Sequence, residues 1–246
     1  MKRKLLIIFI WLLLWQGISL LVHNSVLLAG PWESVQALGK LALTGDFWLT
    51  MLRTLGRILL GILLGTGMGF LLAYAGHRKK LLGDFLSPVI SLGKAIPVAS
   101  FVILLLIWFG NEWVAFAVVV LVTFPIAYLN IQKGLQGMSR ELTELTLVYR
   151  ITGFRRFTYV ELPQLRTQIA AAFSLAVGMG FKSGIAAEVI GQARLTIGNE
   201  MYRAKIYLET AELFAWTATV ILLSWVVEKI LFLVLKKAGF LRTPES

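Results

Sequence analysis

Residues that usually carry nucleophilic or metal chemistry are scarce in this sequence. It contains no cysteine and only two histidines, His23 and His77, which are far apart along the chain. Zinc sites need several His or Cys ligands, and hydrolase patterns such as His-Glu-x-x-His and Gly-x-Ser-x-Gly do not occur. We therefore predict no catalytic residue, no metal site and no cofactor in this chain.

A short string at residues 178–183, Gly-Met-Gly-Phe-Lys-Ser, is superficially similar to a phosphate-binding loop. Such a loop needs glycine directly before the lysine and another glycine five residues earlier. Phe181 and Ala176 stand at those positions. If ATP drives this protein, we expect a separate subunit to bind and hydrolyse it.

Polar and ionisable residues inside long apolar stretches are the strongest candidates for function. Lys182, Ser183 and Glu188 lie in one such stretch, and Lys94 and Pro97 lie in another. A charge in hydrocarbon is costly, so these side chains must face water, a polar pathway or a partner on another helix. Pro97 is also expected to kink its helix. We predict a role in translocation or gating for these five residues, with structural pairing between helices as the alternative.

The composition shows what kind of solvent surrounds these residues. Of 246 residues, 58% are hydrophobic and only 15% are charged, whereas soluble domains have about 45–50% apolar and about 25% charged residues. Membrane lipid is therefore the expected surrounding. The formal net charge of +11 is explained by basic loops beside an anionic membrane surface, and nucleic acid is not an expected partner.

Six stretches are long and apolar enough to cross a bilayer, which takes about 20 residues. They cover residues 5–28, 47–75, 85–109, 112–131, 164–190 and 211–235. We predict an all-α polytopic membrane protein with an N-terminal transmembrane helix in residues 1–30 and a transmembrane domain in residues 47–235.

The basic residues predict how the chain is oriented. Fourteen lysines and arginines fall in the two termini and the loops assigned to the cytoplasm, and only four fall in the loops assigned to the outside. Cytoplasmic loops carry the excess of positive charge. Both termini are therefore predicted to lie in the cytoplasm, which requires an even number of crossings.

Gly61, Gly65 and Gly69 recur at every fourth position of the second apolar stretch. Residues four apart share a helix face, and glycine lets a neighbouring backbone approach closely. We predict a helix-packing face, with a flexible gate as the alternative.

The connection at residues 132–163 is long, polar and rich in helix-forming residues. Leu142, Leu145 and Tyr149 fall on one face of a predicted helix, and the Ser139 hydroxyl can cap its first turn. An amphipathic helix just inside the membrane is a candidate docking element for a soluble partner. A solvated connector is the alternative.

This connection resembles the EAA loop of bacterial ABC importer permeases. The family pattern is Glu-Ala-Ala, three residues, Gly, nine residues, then Ile-x-Leu-Pro. The matching segments are Glu144-Leu145-Thr146, Arg150 at the glycine position, and Val160-Glu161-Leu162-Pro163. Residues 107–110, Ile-Trp-Phe-Gly, and 182–191, Lys-Ser-Gly-Ile-Ala-Ala-Glu-Val-Ile-Gly, are similar to the nitrate, sulfonate, taurine and bicarbonate branch.

The resemblance implies the type I importer fold, with six transmembrane helices and a cytoplasmic coupling helix in a multi-pass protein of the bacterial inner membrane. It implies two ATP-binding subunits, an external solute-binding protein and a permease homodimer that carries a small anion or zwitterion. Residues 139–157 are then expected to dock in a groove of the ATPase. The ATPase-coupling residues carried over are Glu144, Leu145, Thr146, Tyr149, Arg150, Leu162 and Pro163.

Two other functions remain open at the level of sequence. An ion-gradient-driven secondary transporter often has inverted repeats and discontinuous helices; we find no clear internal repeat, and the amphipathic connection would have no role in such a protein. A membrane-embedded enzyme acting on lipid needs a catalytic set, which we do not find. A co-purifying ATPase would favour the importer over both.

Overall fold

The structure is a computed structural model that describes residues 2–95, 97–237 and 239, and these residues are almost entirely helical. The helices are α1 Lys2–Val22, α2 Pro31–Ala42, α3 Gly45–Arg78, α4 Lys80–Ala95, α5 Val98–Gln136, α6 Arg140–Val148, α7 Gly153–Arg156, α8 Leu162–Gly191, α9 Ile197–Ile206 and α10 Thr210–Lys237. A π-helical turn, Phe157–Glu161, joins α7 to α8. The predicted all-α class is confirmed.

Within the described residues, five helical segments are long and apolar enough to cross a membrane. They are Leu5–Val22, Gly45–Arg78, Val98–Gln136, Gly153–Gly191 and Thr210–Lys237. The predicted count of six is not fully confirmed, because the third predicted crossing, residues 85–109, is divided between two helices.

The division occurs at Pro97. Helix α4 ends at Ala95, and Pro97 has an extended backbone (φ −59°, ψ 129°) before α5 begins at Val98. Proline has no backbone N–H to continue a helix. The predicted kink is therefore a complete break in the helix.

A second interruption reverses the chain inside α5. Gly110 has φ 65° and ψ 177°, a backbone conformation that suits glycine. Val102 and Leu105, before this point, share a hydrophobic cluster with Val114 and Val118, after it. Residues 98–109 therefore fold back on the following part of α5.

Helix α4 continues the same path along α5. A Cβ atom added to Gly93 would lie 3.1 Å from the Pro125 ring, and Ile90 shares a cluster with Tyr128 and Ile131. Together, α4 and residues 98–109 run antiparallel to residues 111–136, with the interruption at Pro97 between them.

The centre of the molecule is the packing of α3, α5 and α8. Cβ atoms added to Gly61, Gly65 and Gly69 of α3 would approach Val119 Cβ at 2.8 Å, Thr123 Oγ1 at 2.1 Å and Ala127 Cβ at 2.6 Å. These distances leave no room for a larger side chain. The predicted helix-packing role of the three glycines is confirmed.

Helices α1 and α10 lie at the periphery. In each of these helices, only 6% of the most apolar 18-residue segment is buried. The two helices meet at Trp15 and Phe214, whose ring centroids are 5.1 Å apart. The short helices α2 and α9 pack against α10. We call residues 78–80 and 137–161 the α6 end of the bundle, and residues 110–112 and 192–209 the α9 end.

Candidate functional site

The segment predicted to couple to a partner forms a capped helix at the α6 end. The backbone N–H of Leu142 donates to the Ser139 hydroxyl at 3.3 Å, which confirms the predicted cap. Leu145 is 47% exposed and Tyr149 is 71% exposed. Because apolar side chains of a short helix remain uncovered, this face is available for a partner.

Polar residues of the same helix divide between surface and interior. Glu144 lies on the surface, with its Oε1 atom 3.2 Å from Arg140 Nε. An ion pair between such exposed groups is weak, so Glu144 can exchange Arg140 for another cation. Thr146, on the same helix, is buried.

Arg150 ends this helix in the left-handed region, with φ 53°. The N–H of Ile151 donates to the Thr146 carbonyl at 2.8 Å, and the N–H of Arg150 donates to the Leu147 carbonyl at 3.2 Å. These two bonds form a Schellman motif, which favours glycine at the left-handed position. The position is the one that carries glycine in the EAA pattern, so the backbone turn is retained although the residue differs.

Leu162 and Pro163 lie where the coupling segment enters α8. The N–H of Leu162 donates to the Phe157 carbonyl, five residues earlier, and Pro163 has no N–H to offer to the preceding turn. A missing donor widens a helical turn. Pro163 therefore accounts for the π-helical turn, and Leu162 packs against a cluster that includes Leu165 and Ile169.

A buried carboxylate, Glu161, joins this turn to the end of α3. Glu161 Oε1 accepts a hydrogen bond from Arg78 Nη2 at 2.8 Å, and its Oε2 accepts one from the Tyr74 hydroxyl at 2.8 Å. Arg156 Nε is an ion-pair partner, 2.8 Å from Oε1. Although Glu161 lies in a matched segment of the EAA pattern, no local pattern marks it as functional, since two of its partners are 83 and 87 residues away.

The candidates Lys182, Ser183 and Glu188 lie on different sides of α8. Lys182 is exposed, whereas Ser183 is buried and donates to the Met179 carbonyl at 2.6 Å. None of the ion pairs found among the described residues involves Lys182. The structure therefore does not bring Lys182 and Glu188 together, as their separation predicts.

Glu188 is fully buried and connects three helices. Its Oε2 accepts from the Thr54 hydroxyl of α3 at 2.9 Å and from the Gly198 N–H of α9 at 3.2 Å. The Thr54 hydroxyl in turn accepts from the Ile197 N–H at 2.9 Å. A carboxylate at the first N–H groups of a helix is favourable, so Glu188 fastens the start of α9 to α8 and α3. This arrangement, like that of Glu161, depends on distant residues that no local pattern identifies.

The remaining candidates, Lys94 and Pro97, lie at the break between α4 and α5, and the side chain of Lys94 is outside the described part of the structure. A cavity of about 560 Å³ lies beside the break, lined by residues of α3, α4 and α5 such as Leu64, Leu92, Gly93, Phe101 and Phe124. Its described walls are almost wholly apolar, so they offer no hydrogen-bond partner to a charged solute.

Comparison with known proteins agrees with this architecture. Residues 58–237 match the family model described as "Binding-protein-dependent transport system inner membrane component". The chain is 25% identical over 215 residues to the putative aliphatic sulfonates transport permease protein SsuC of Bacillus subtilis. This match covers 87% of this chain and 78% of the relative. It is 26% identical over 215 residues to the riboflavin transport system permease protein RibX of Chloroflexus aurantiacus, covering 87% and 80% of the two chains.

Among solved structures, the fold is similar to that of a chain in a crystal structure of an amino acid ABC transporter with histidines. The TM-score is 0.61 with 19% identity, and the match covers 81% of this chain and 95% of the other. The family match spans most of the chain and confirms the family predicted from the sequence. This protein belongs to the binding-protein-dependent transport inner membrane components: it is a permease subunit of an ABC importer, with ATP hydrolysis on a separate subunit.

Proposed function

We propose that two copies of this chain form the translocation pathway of an ATP-driven importer in the bacterial inner membrane. The cargo is a small anion or zwitterion of the sulfonate, taurine or nitrate type, delivered by an external solute-binding protein. The names of the Bacillus subtilis and Escherichia coli relatives, both putative aliphatic sulfonates transport permeases, support this class. Other relatives are named for riboflavin and formylaminopyrimidine, so the cargo is the part of the proposal that most needs a direct assay.

The exposed apolar face of α6 is the observation that carries this proposal. Residues 139–157 dock in a groove of the ATP-binding subunit, where Leu145 and Tyr149 supply apolar contact and Glu144 pairs with a cation. Thr146 and Arg150 hold the helix and its turn in place, and Leu162 and Pro163 connect the segment to α8. The excess of basic residues at the α6 end supports a cytoplasmic location for this end and for both termini.

The uncovered face of α8 supports the pairing of two copies. Around Lys182, the exposed residues of this face are the small residues Gly178 and Ala186 together with Leu175 and Met179. A lysine is costly in lipid, whereas small residues permit close helix contact. A second copy packed along this face would enclose Lys182 in an aqueous pathway, where its ammonium group attracts an anion.

Within this pathway, Ser183 is buried behind Lys182, and Glu188 links α8 to α3 and α9 at the end where the solute-binding protein docks. Pro97 and Lys94 belong to the broken crossing, whose two halves can change their relative angle.

The double variant Glu144→Arg with Leu145→Asp tests the docking role. It reverses one charge and places another on the apolar face, so we expect ATP-coupled uptake to be abolished while membrane insertion is retained. Uptake is measured in cells with a panel of labelled sulfonates, taurine and nitrate, and insertion by the amount of chain in the membrane fraction. Glu228→Gln, on the peripheral helix α10, is the control. Normal uptake by the double variant would refute the docking role.

The variant Lys182→Met tests the pathway. It removes the ammonium group and keeps an unbranched side chain, so we expect transport per molecule to fall more than abundance does. Lys229→Met is the matched control, since Lys229 lies on the peripheral helix α10 with its Nζ atom 4.8 Å from the centre of the Trp225 ring. Lower abundance of the Lys182 variant with normal transport per molecule would make Lys182 a structural residue.

A further inference from the structure

The Glu161 carboxylate is held almost entirely by protein groups. Its side chain is only 5% exposed, compared with 38% for Arg78 and 23% for Arg156. A carboxylate removed from water depends on its ion-pair and hydrogen-bond partners. The Glu161 carboxylate and the guanidinium groups of Arg78 and Arg156 therefore hold one another in position.

The partners of Glu161 belong to two different parts of the chain. Arg156 lies in α7, at the end of the coupling segment, whereas Tyr74 and Arg78 lie in the last turns of α3. Arg78 Nη2 also donates to the Tyr74 hydroxyl at 2.8 Å, and the Arg78 guanidinium carbon lies 5.2 Å from the centre of the Tyr74 ring. The arrangement is a closed network rather than a single ion pair.

Aromatic contacts strengthen the same junction. The Phe157 ring packs edge-on against Tyr74, with 5.2 Å between ring centroids, and against Phe70 at 6.2 Å. Phe157 is the first residue of the π-helical turn. The turn is thus attached to α3 by charge, by hydrogen bonds and by ring packing.

This junction has a consequence for movement. The coupling segment is covalently continuous with both α5 and α8, so a displacement of α6 reaches these two helices directly. It reaches the end of α3 through the Glu161 network. At the α9 end, the bond between Thr54 and Glu188 again joins α3 to α8, so the two helices are fastened at both ends.

We propose that Glu161, together with Tyr74, Arg78 and Arg156, is a positioning site that makes the α6 end of α3 follow the coupling segment when the ATP-binding subunits close. This inference rests on the proposed importer function. Glu161 contacts neither ATP nor cargo, and its role is to convert a pull on one helix into the movement of the α3–α8 pair.

Spin labels can measure this movement because the chain contains no native cysteine. His77→Cys places one label on the exposed α6 end of α3 in each of the two proposed copies, so that a single distance joins the two α3 helices across the pair. The complex with its ATP-binding subunits is reconstituted in nanodiscs, and the distance between the labels is recorded before and after trapping with ATP and vanadate. We expect the distance to change on trapping in the parent complex.

Glu161→Gln keeps the size of the side chain and removes its charge. We expect the distance change to be lost while ATP hydrolysis continues, so that hydrolysis is uncoupled from movement. Glu228→Gln is the matched control, because Glu228 of α10 accepts from Ser174 of α8 at 2.8 Å and does not involve α3. The control should retain the distance change of the parent.

If the Glu161 variant does not assemble, Tyr74→Phe is the test variant, since it keeps the ring packing and removes the hydrogen bond to Glu161. A smaller distance change than in the parent supports the inference, and an unchanged distance change overturns it. An unchanged response of an assembled Glu161→Gln complex also overturns the inference but leaves the importer function standing. Failure of the parent chain to bind any ATP-binding subunit would overturn both.

Discussion

Arg150 stands where the EAA pattern has glycine, and its backbone adopts the left-handed conformation that glycine favours. The residue stands in the left-handed region, which costs a side chain with a Cβ atom about 1 kcal/mol relative to glycine. The Schellman bonds around it hold the turn nonetheless. The coupling helix therefore ends at the right place but carries some strain.

This strain leads to a prediction at the residue scale. Arg150→Gly should stabilise the closed form of the turn by about 1 kcal/mol, which slows hydrogen exchange of the α6 amides roughly fivefold. The measurement is hydrogen–deuterium exchange of the purified chain in detergent. Gln192→Gly is the control, because Gln192 has φ 51° at the other end of α8. Faster or unchanged exchange in α6 would contradict this account of the turn.

Local residue features could be predicted from sequence, whereas long-range ones could not. The Ser139 cap depends on residues three apart, so the sequence contains all the necessary information. The partners of Glu161 and Glu188 are brought together by folding, from positions as far as 134 residues apart. Their burial could be suspected from their apolar neighbours, but their partners could not be identified.

Among the elements, the glycine face of α3 determines how closely the central helices pack. Gly65→Ala should destabilise the protein by about 1–3 kcal/mol, because overpacking displaces the neighbouring backbone. Gly67→Ala is a control only two residues away, since its added Cβ would meet no atom within 4 Å. Thermal unfolding in detergent should show a lower midpoint only for the Gly65 variant. Equal midpoints would show that α3 and α5 are less tightly packed than described.

The membrane-crossing elements were predictable because their apolar length is a property of the local sequence. The third crossing was the exception, since Pro97 interrupts the helix and Gly110 joins its second half to the next crossing. A hydropathy pattern records how apolar a stretch is and not whether its backbone is continuous. The π-helical turn before Pro163 was missed for the same reason.

At the scale of the whole molecule, the two ends of the bundle have different tasks. The α6 end carries an uncovered apolar helix, and the α9 end carries α9 itself, fastened by Glu188. In both places a buried carboxylate of the α8 region connects a short helix or turn to α3. We expect movement at one end to be transmitted to the other through α3 and α8. The central claim is therefore that the ATP-binding subunit binds at α6.

Site-specific cross-linking tests that claim most directly. Leu147→Cys places a thiol on α6, where the native side chain is 68% exposed, and Leu43→Cys places one after α2, where it is 90% exposed. With a cysteine-reactive photocross-linker in intact membranes, position 147 should capture the ATP-binding subunit and position 43 should not. Capture from position 43 instead, or labelling of position 147 by a membrane-impermeant thiol reagent added outside the cell, would contradict the account.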